Sequence, residues 1–162
     1  MDPTDFWVRV AEHPLSIAIG GSWWFPLIES IHVLAAVLVF GSILTVDLRL
    51  LGLAARRYDV SRIVRELVPW SQSAFAVSVI TGAALFITSA DRYIGNPAFL
   101  VKLVLLVLAG INIAVFHLRT FRTVADWERA PSAPFRAKLA GAASLGIWAG
   151  VMLAGRWIGH LL

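Results

Sequence analysis

The sequence predicts an all-α fold: a membrane four-helix bundle with the N and C termini outside and short helices at the interface. Three observations carry that expectation. The 162 residues are 59% hydrophobic with a mean hydropathy of +0.78, above the apolar share of a soluble domain. Four stretches are long and apolar enough to cross a hydrocarbon core of ~30 Å, which takes about 20 helical residues. Basic residues gather in two of the connections between those stretches. Residues 1–162 therefore read as a single integral membrane domain.

The opening "MDPTDFWVRVAEHPLSIAIGG" has acids before its first arginine and only short apolar runs, a poor secretory signal, so it reads as part of the mature protein. Residues 4–19 form an amphipathic segment, interrupted by Pro14, expected along the headgroups. The first span is expected over 26–50, with Pro26 in the first turn, where its missing N–H is harmless. The connection that follows holds "DVSRIVRELVPW", with an N-cap candidate in Asp59 or Ser61. It is expected to be a second interfacial helix ending at Pro69. The second span is expected over 70–89, the third over 97–118 and the fourth over 138–162. Pro97 opens the third as Pro26 opens the first. Trp23, Trp24, Trp70 and Trp157 lie near span ends, as an aromatic belt places them.

Loop charge orients this bundle. Arg49, Arg56, Arg57, Arg62 and Arg65 flank the first connection, and Arg119, Arg122, Arg129, Arg136 and Lys138 the third. The opposite side has Arg9, Arg92 and Arg156, and ten against three sets both termini away from the cytoplasm. The net charge of +4 is then a matter of topology and calls for no nucleic-acid partner. The chain has no cysteine, which excludes disulfides, thiolate metal sites and iron–sulfur clusters. It shows no catalytic nucleophile, phosphate loop or hydrolase constellation, and whether it is an enzyme stays open.

Ionisable residues inside spans are costly and mark functional-site candidates. At ~1.5 Å per residue, Glu29 and His32 lie ~5 and ~9 Å past Pro26, Lys102 ~8 Å past Pro97, and Arg156 ~9 Å before the chain end. An acid, an imidazole and two cations thus share one outer layer on three helices. Two cations exceed what Glu29 alone neutralises, so a further anion is wanted. Haem supplies two propionates, and histidine is a common axial ligand. His32 is the candidate ligand, Glu29 its orienting partner, and Lys102 and Arg156 the propionate partners. The plainer alternative is a neutral His32 hydrogen-bonded to Glu29 or to a backbone carbonyl.

An inner layer holds Asp47, Arg49, Asn112, His117 and Ser144. Asp47 is expected to pair with Arg49 or a neighbouring arginine. His117 lies ~20 Å deeper than His32, whereas two axial ligands of one metal stand roughly 4 Å apart, so the two cannot share an iron. His117 reads as a rim residue. A second axial position is empty or filled by His160 or His13, with His117 the remaining candidate. "GIWAG", 146–150, supplies small residues for close helix approach, or room for a flat ligand.

At this point the residues carry a resemblance. "IESIHVLAAVLVFGSILTVDLRLLG" resembles the first helix of small bacterial four-helix membrane proteins of the CopD copper-resistance type, and that of the haem-containing membrane protoporphyrinogen oxidase. Both open on a pair like Ile31–His32 with a glycine about nine residues on, here Gly41. "PAFLVKLVLLVLAGINIAVFHLRTF" is similar to their third helix, with Lys102 early and His117 late. The likeness covers all four spans in order. It implies a bacterial inner-membrane protein with b-type haem at His32 and redox chemistry on a porphyrin or quinone. The oxidase pattern has proline-arginine near the inner end of the first span, where this chain reads Asp47-Leu48-Arg49. The CopD likeness implies copper handling, yet Cu(I) favours Cys and Met, and Met152 is the one methionine besides the initiator.

Three functions follow as expectations. The first is membrane electron transfer on haem b, with a quinone or periplasmic redox partner and, in the bilayer, a homo-oligomer allowed. The second is metal-ion transport along a path through Ser78, Asn112 and His117. The third is a structural subunit.

Overall fold

The computed structural model describes residues 3–55, 57–128, 130 and 132–161. Among these the regular elements are all helical. The loop charges Arg56 and Arg129 and the terminal Leu162 lie outside the described residues.

Two short helices come first, α1 (Pro3–Ala11) and α2 (Pro14–Gly20). Pro14 opens α2, and His13 caps it, its Nδ1 accepting from the Leu15 N–H at 3.2 Å. The first span, α3, runs Trp24–Leu51 and ends at Gly52, whose φ of 72° is left-handed. That conformation lets the Gly52 and Leu53 N–H groups turn back onto Arg49 and Leu48 carbonyls, a C-cap that glycine adopts without strain.

The second span, α4, runs Val60–Ile87 and corrects the expected boundary at Pro69. Pro69 sits inside the helix. It forfeits one bond, to the carbonyl of the exposed Arg65 near the helix start, and such a loss does not end a membrane helix. The separate interfacial segment is thus the first turns of the span. Its cap is also unforeseen: Asp59 holds the N-cap position without a side-chain cap bond, and the Ser61 N–H donates to Glu128 Oε2 at 3.2 Å.

After α5 (Ala90–Gly95), the third span begins as α6 (Pro97–Val115). It continues through a π-helical turn (Phe116–Thr120) and a 3₁₀ turn (Phe121–Thr123) into α7 (Val124–Trp127). The fourth span, α8, runs Phe135–Leu161. These four apolar runs of 27 to 31 residues are long enough to cross a bilayer. Their outward faces carry bare apolar side chains, Leu34 at 69% and Ile80 at 70% exposure among them. Lipid, not water, is the medium that suits such faces.

The spans pack as a bent row, α4 on α3, α3 on α8 and α8 on α6. Val39, Ala74, Ala109, Trp148 and Val151 form the central core, and Leu50, Val60, Val64, Phe116 and Ala137 a second core at the basic end. Small residues set the closest approaches: a Cβ on Gly141 would stand 3.3 Å from the Asp47 carbonyl, and one on Gly150 3.0 Å from Leu105 Cδ1. Gly146, by contrast, faces open space, so "GIWAG" serves close packing at one of its two glycines.

Candidate functional site

His32 is held by α4 and not by its own helix. Its Nδ1 stands 2.9 Å from the Ser78 carbonyl and 3.0 Å from Thr81 Oγ1. A carbonyl only accepts, and the Thr81 hydroxyl already donates to the Val77 carbonyl at 2.7 Å, so Nδ1 carries the proton and donates to both. In the neutral ring, Nε2 is then left with its lone pair, the arrangement of a metal-ligating imidazole oriented by a backbone carbonyl. The close fit depends on Gly82: a Cβ there would lie 3.0 Å from His32 Cε1. The orienting role expected of Glu29 therefore falls to Ser78 and Thr81. Glu29 is exposed and acts on His32 through its charge.

Lys102, on α6, also lies within electrostatic reach of the imidazole. Its side chain is half-buried, and Nζ sits 3.4 Å from where a Cβ of Gly155 would be, so a gap in α8 makes room for the ammonium. Among the described residues Lys102 has no hydrogen-bond or ion-pair partner, and the one ion pair is Arg62–Glu66 at the basic end, 2.9 Å. The charges of Glu29 and Lys102 thus both act on His32. Arg156 follows Gly155 in α8 but is exposed and makes no bond to the others.

Tyr93 in α5 joins this end of the bundle, its ring packed edge-on to Phe99 at 5.5 Å. Burial, then the nearby Glu29 carboxylate, holds its phenol above the ordinary tyrosine range. Asn96 was missed from the sequence. It is 3% exposed, accepts from the Ala98 and Phe99 N–H groups at the start of α6, and donates to the Ile158 carbonyl at 3.2 Å. The Asn-Pro pair before an apolar run was the available signal for the cap, though not for the bond to α8. Likewise "SVITG", 78–82, places small and polar residues on one stripe of an apolar helix.

The other histidines stand apart. His13 caps α2, and His160 is exposed in the last turn of α8. His117 Nδ1 donates to the Ile113 carbonyl at 3.1 Å and lines a different feature, a cavity of about 340 Å³ towards the basic end. That cavity is walled by all four spans, with Asp47, Asn112, Ser144 and Trp148 among its lining. Asp47 corrects an expectation: it pairs with no arginine among the described residues, and its carboxyl lies beside the Ser144 hydroxyl. Residues two apart point to different sides of a helix, so Asp47 turns inward while Arg49 Nε reaches the Tyr58 carbonyl at 2.8 Å. Asn112 Nδ2 donates to the Ala140 carbonyl at 3.1 Å.

A model of a family of unknown function, DUF6644, matches residues 16–161. The chain belongs to the DUF6644 family. The match runs from α2 to the end of α8, so both the His32 cluster and the inner cavity are built on DUF6644 residues, while α1 lies outside it. No curated protein and no solved structure matches the chain.

The donor set can be set against a haem. His32 offers a free Nε2 on an anchored ring, and Lys102 on α6 offers a cation with no partner among the described residues. His32 lines neither the inner cavity nor a second one, bounded by Phe6, Arg9, Val10, His13, Ser16 and Ile87. Among the described residues no three of His, Cys, Asp and Glu gather closely enough to hold a metal ion by themselves.

Proposed function

We propose that this DUF6644 protein is a small redox protein of the bacterial inner membrane that holds a b-type haem through His32. One observation carries the reading: His32 Nδ1 is committed to the Ser78 carbonyl, which fixes the ring and leaves Nε2 as the ligand atom. The unpartnered Lys102 supports it, because a half-buried ammonium in a bilayer calls for an anion, and a haem propionate is one. The likeness of Ile31, His32, Gly41 and Lys102 to CopD-type proteins and the membrane protoporphyrinogen oxidase points the same way.

In this reading His32 would hold the iron, and Lys102 and Arg156 the propionates. The bound haem would supply one-electron transfer. Ser78 and Thr81 keep the imidazole in one tautomer, and Gly82 keeps α4 close enough for them to do so. A quinone or a periplasmic protein would be the electron partner. Copper handling gains no comparable support, since its ligands would have to come from groups the described residues do not assemble.

The test is an absorption spectrum of the full chain purified in detergent from haem-supplied cells. A Soret band is expected, absent in His32→Ala and retained in His13→Ala, His117→Ala and His160→Ala. A colourless wild-type protein under ample haem overturns the reading.

A further inference from the structure

The cavity towards the basic end is not used by the His32 site, and its chemistry is specific. Most of its wall is apolar, yet four buried side chains with polar atoms line it: Ser42, whose hydroxyl donates to the Leu38 carbonyl, Asp47 at 4% exposure, Ser144 at 5% and Trp148 at 6%. The Ser144 hydroxyl lies beside the Asp47 carboxyl. Asp47 Oδ2 and Trp148 Nε1 have no hydrogen-bond partner. One is an acceptor on α3 and the other a donor on α8. Buried polar groups left unpaired are rare in folded proteins, and two in one cavity, of opposite sense, describe what is missing from it.

We propose that this cavity binds a lipid-soluble aromatic diol, a quinol on an apolar tail. One hydroxyl donates to Asp47 Oδ2, and the oxygen at the other side of the ring accepts from Trp148 N–H. Ser144, which marks the level of Asp47, and Trp148 are one turn apart on α8, and the two oxygens of a para-diol are separated by about one helical pitch, ~5.4 Å. The flat ring suits a wall that includes Phe75, edge-on to Trp148 with centroids 6.5 Å apart. The volume lies at the small end of the range for ligand sites, ~300–1,000 Å³, enough for a ring but not for a lipid with its chains. A phosphate or carboxylate head is disfavoured because it would face Asp47. A quinone offers no donor for Oδ2, so the site selects the reduced form.

The route in is lateral. The cavity is backed by α3 and α8 and flanked by α4 and α6, the two ends of the packed row, which are not among the principal helix pairs. That seam faces the hydrocarbon. Gly110 lines the cavity on α6, and a Cβ there meets nothing within 4 Å, so a larger side chain at this position has room to extend into it.

The proposal does not rest on the haem reading, since none of these residues belongs to the His32 cluster. The test is equilibrium binding of a decyl-substituted benzoquinol to the purified full chain, kept anaerobic and reduced, with the matching quinone and a long-chain alcohol as comparisons. Saturable quinol binding is expected, at least about tenfold tighter than quinone or alcohol. Asp47→Leu and Trp148→Phe are each expected to weaken it about tenfold, and Asp47→Leu, which removes the acceptor that only a hydroxyl can use, to abolish the preference over quinone. Gly110→Leu, which adds atoms where space is open, is expected to fold and to lose binding. Asp47→Leu removes a buried unpaired oxygen, so it should melt no lower than wild type without ligand, separating a lost site from a lost fold. Quinol binding that is unsaturable, equal to that of quinone, or indifferent to Trp148→Phe and Gly110→Leu overturns the proposal.

Discussion

Replacing Gly82 by alanine places a methyl carbon 3.0 Å from His32 Cε1 and 3.5 Å from Nδ1. Carbon atoms rest about 3.5–4.0 Å apart, so the ring must retreat from α4 by roughly half an ångström. Its hydrogen-bond partner, the Ser78 carbonyl, is on α4, so the 2.9 Å bond lengthens towards about 3.4 Å, the edge of a useful N–H···O contact. Losing it costs about 0.5–1.5 kcal/mol net. Alanine meanwhile gains up to about 1 kcal/mol over glycine within a helix. The two nearly cancel, so the melting temperature of Gly82→Ala should stay close to wild type while the imidazole loses its anchor. The assay is ¹⁵N NMR of ring-labelled histidine in the detergent-solubilised chain, with the His32 signals assigned from His32→Ala. Nδ1 of His32 is expected to shift, and the proton to redistribute towards Nε2. Gly146→Ala is the control, because a Cβ there meets nothing within 4 Å. Identical His32 signals in the two variants would show that Gly82 does not seat the ring.

Asn96→Ala removes a cap from α6 and the bond to the Ile158 carbonyl, and should destabilise by about 2 kcal/mol, measured by thermal or denaturant unfolding. Asn96→Asp keeps the cap acceptor but not the donor and should fall between. Tyr93 ionisation, followed by ultraviolet absorbance, is expected above 10.0 in the folded chain and should move down in Glu29→Gln, which removes one of its two causes. Because the folded pKa is raised, the stability linked to neutral Tyr93 is complete below the unfolded value and fades as pH rises through the folded one. The absence of native cysteine makes orientation simple to read. A single cysteine at Asp91 should react with an impermeant reagent from outside whole cells, and one at Arg57 only after the membrane is opened. The reverse pattern would invert the topology drawn from the loop charges.

Much of the frame was legible because it depends on composition along one line of sequence. Spans expected at 26–50 and 97–118 are found as Trp24–Leu51 and a helical run from Pro97, since apolar length and proline position are local properties. Pro69 is a helix stop only by rules that hold where water competes for the backbone, and in a span it is not one. For the outer layer, depth along parallel helices places Lys102 at the level of His32, and its charge acts on the imidazole. What escaped were partners that lie across helices. The ring anchor at Ser78, the Glu128 cap on α4 and the approach of Ser144 to Asp47 each join segments far apart in the chain. The cavity escaped most completely, because an unfilled volume has no residue to announce it.

The order of the packed row also bears on how the molecule comes together during synthesis. α3 with α4, and α6 with α8, are each neighbours in the chain as well as in space, so the protein is two helical hairpins joined along the α3–α8 seam. At that seam Gly141 rides on the backbone at Asp47. The first hairpin brings Asp47 and His32, the second Trp148 and Lys102. Neither half holds a whole set, so both proposed sites are complete only where the two hairpins meet.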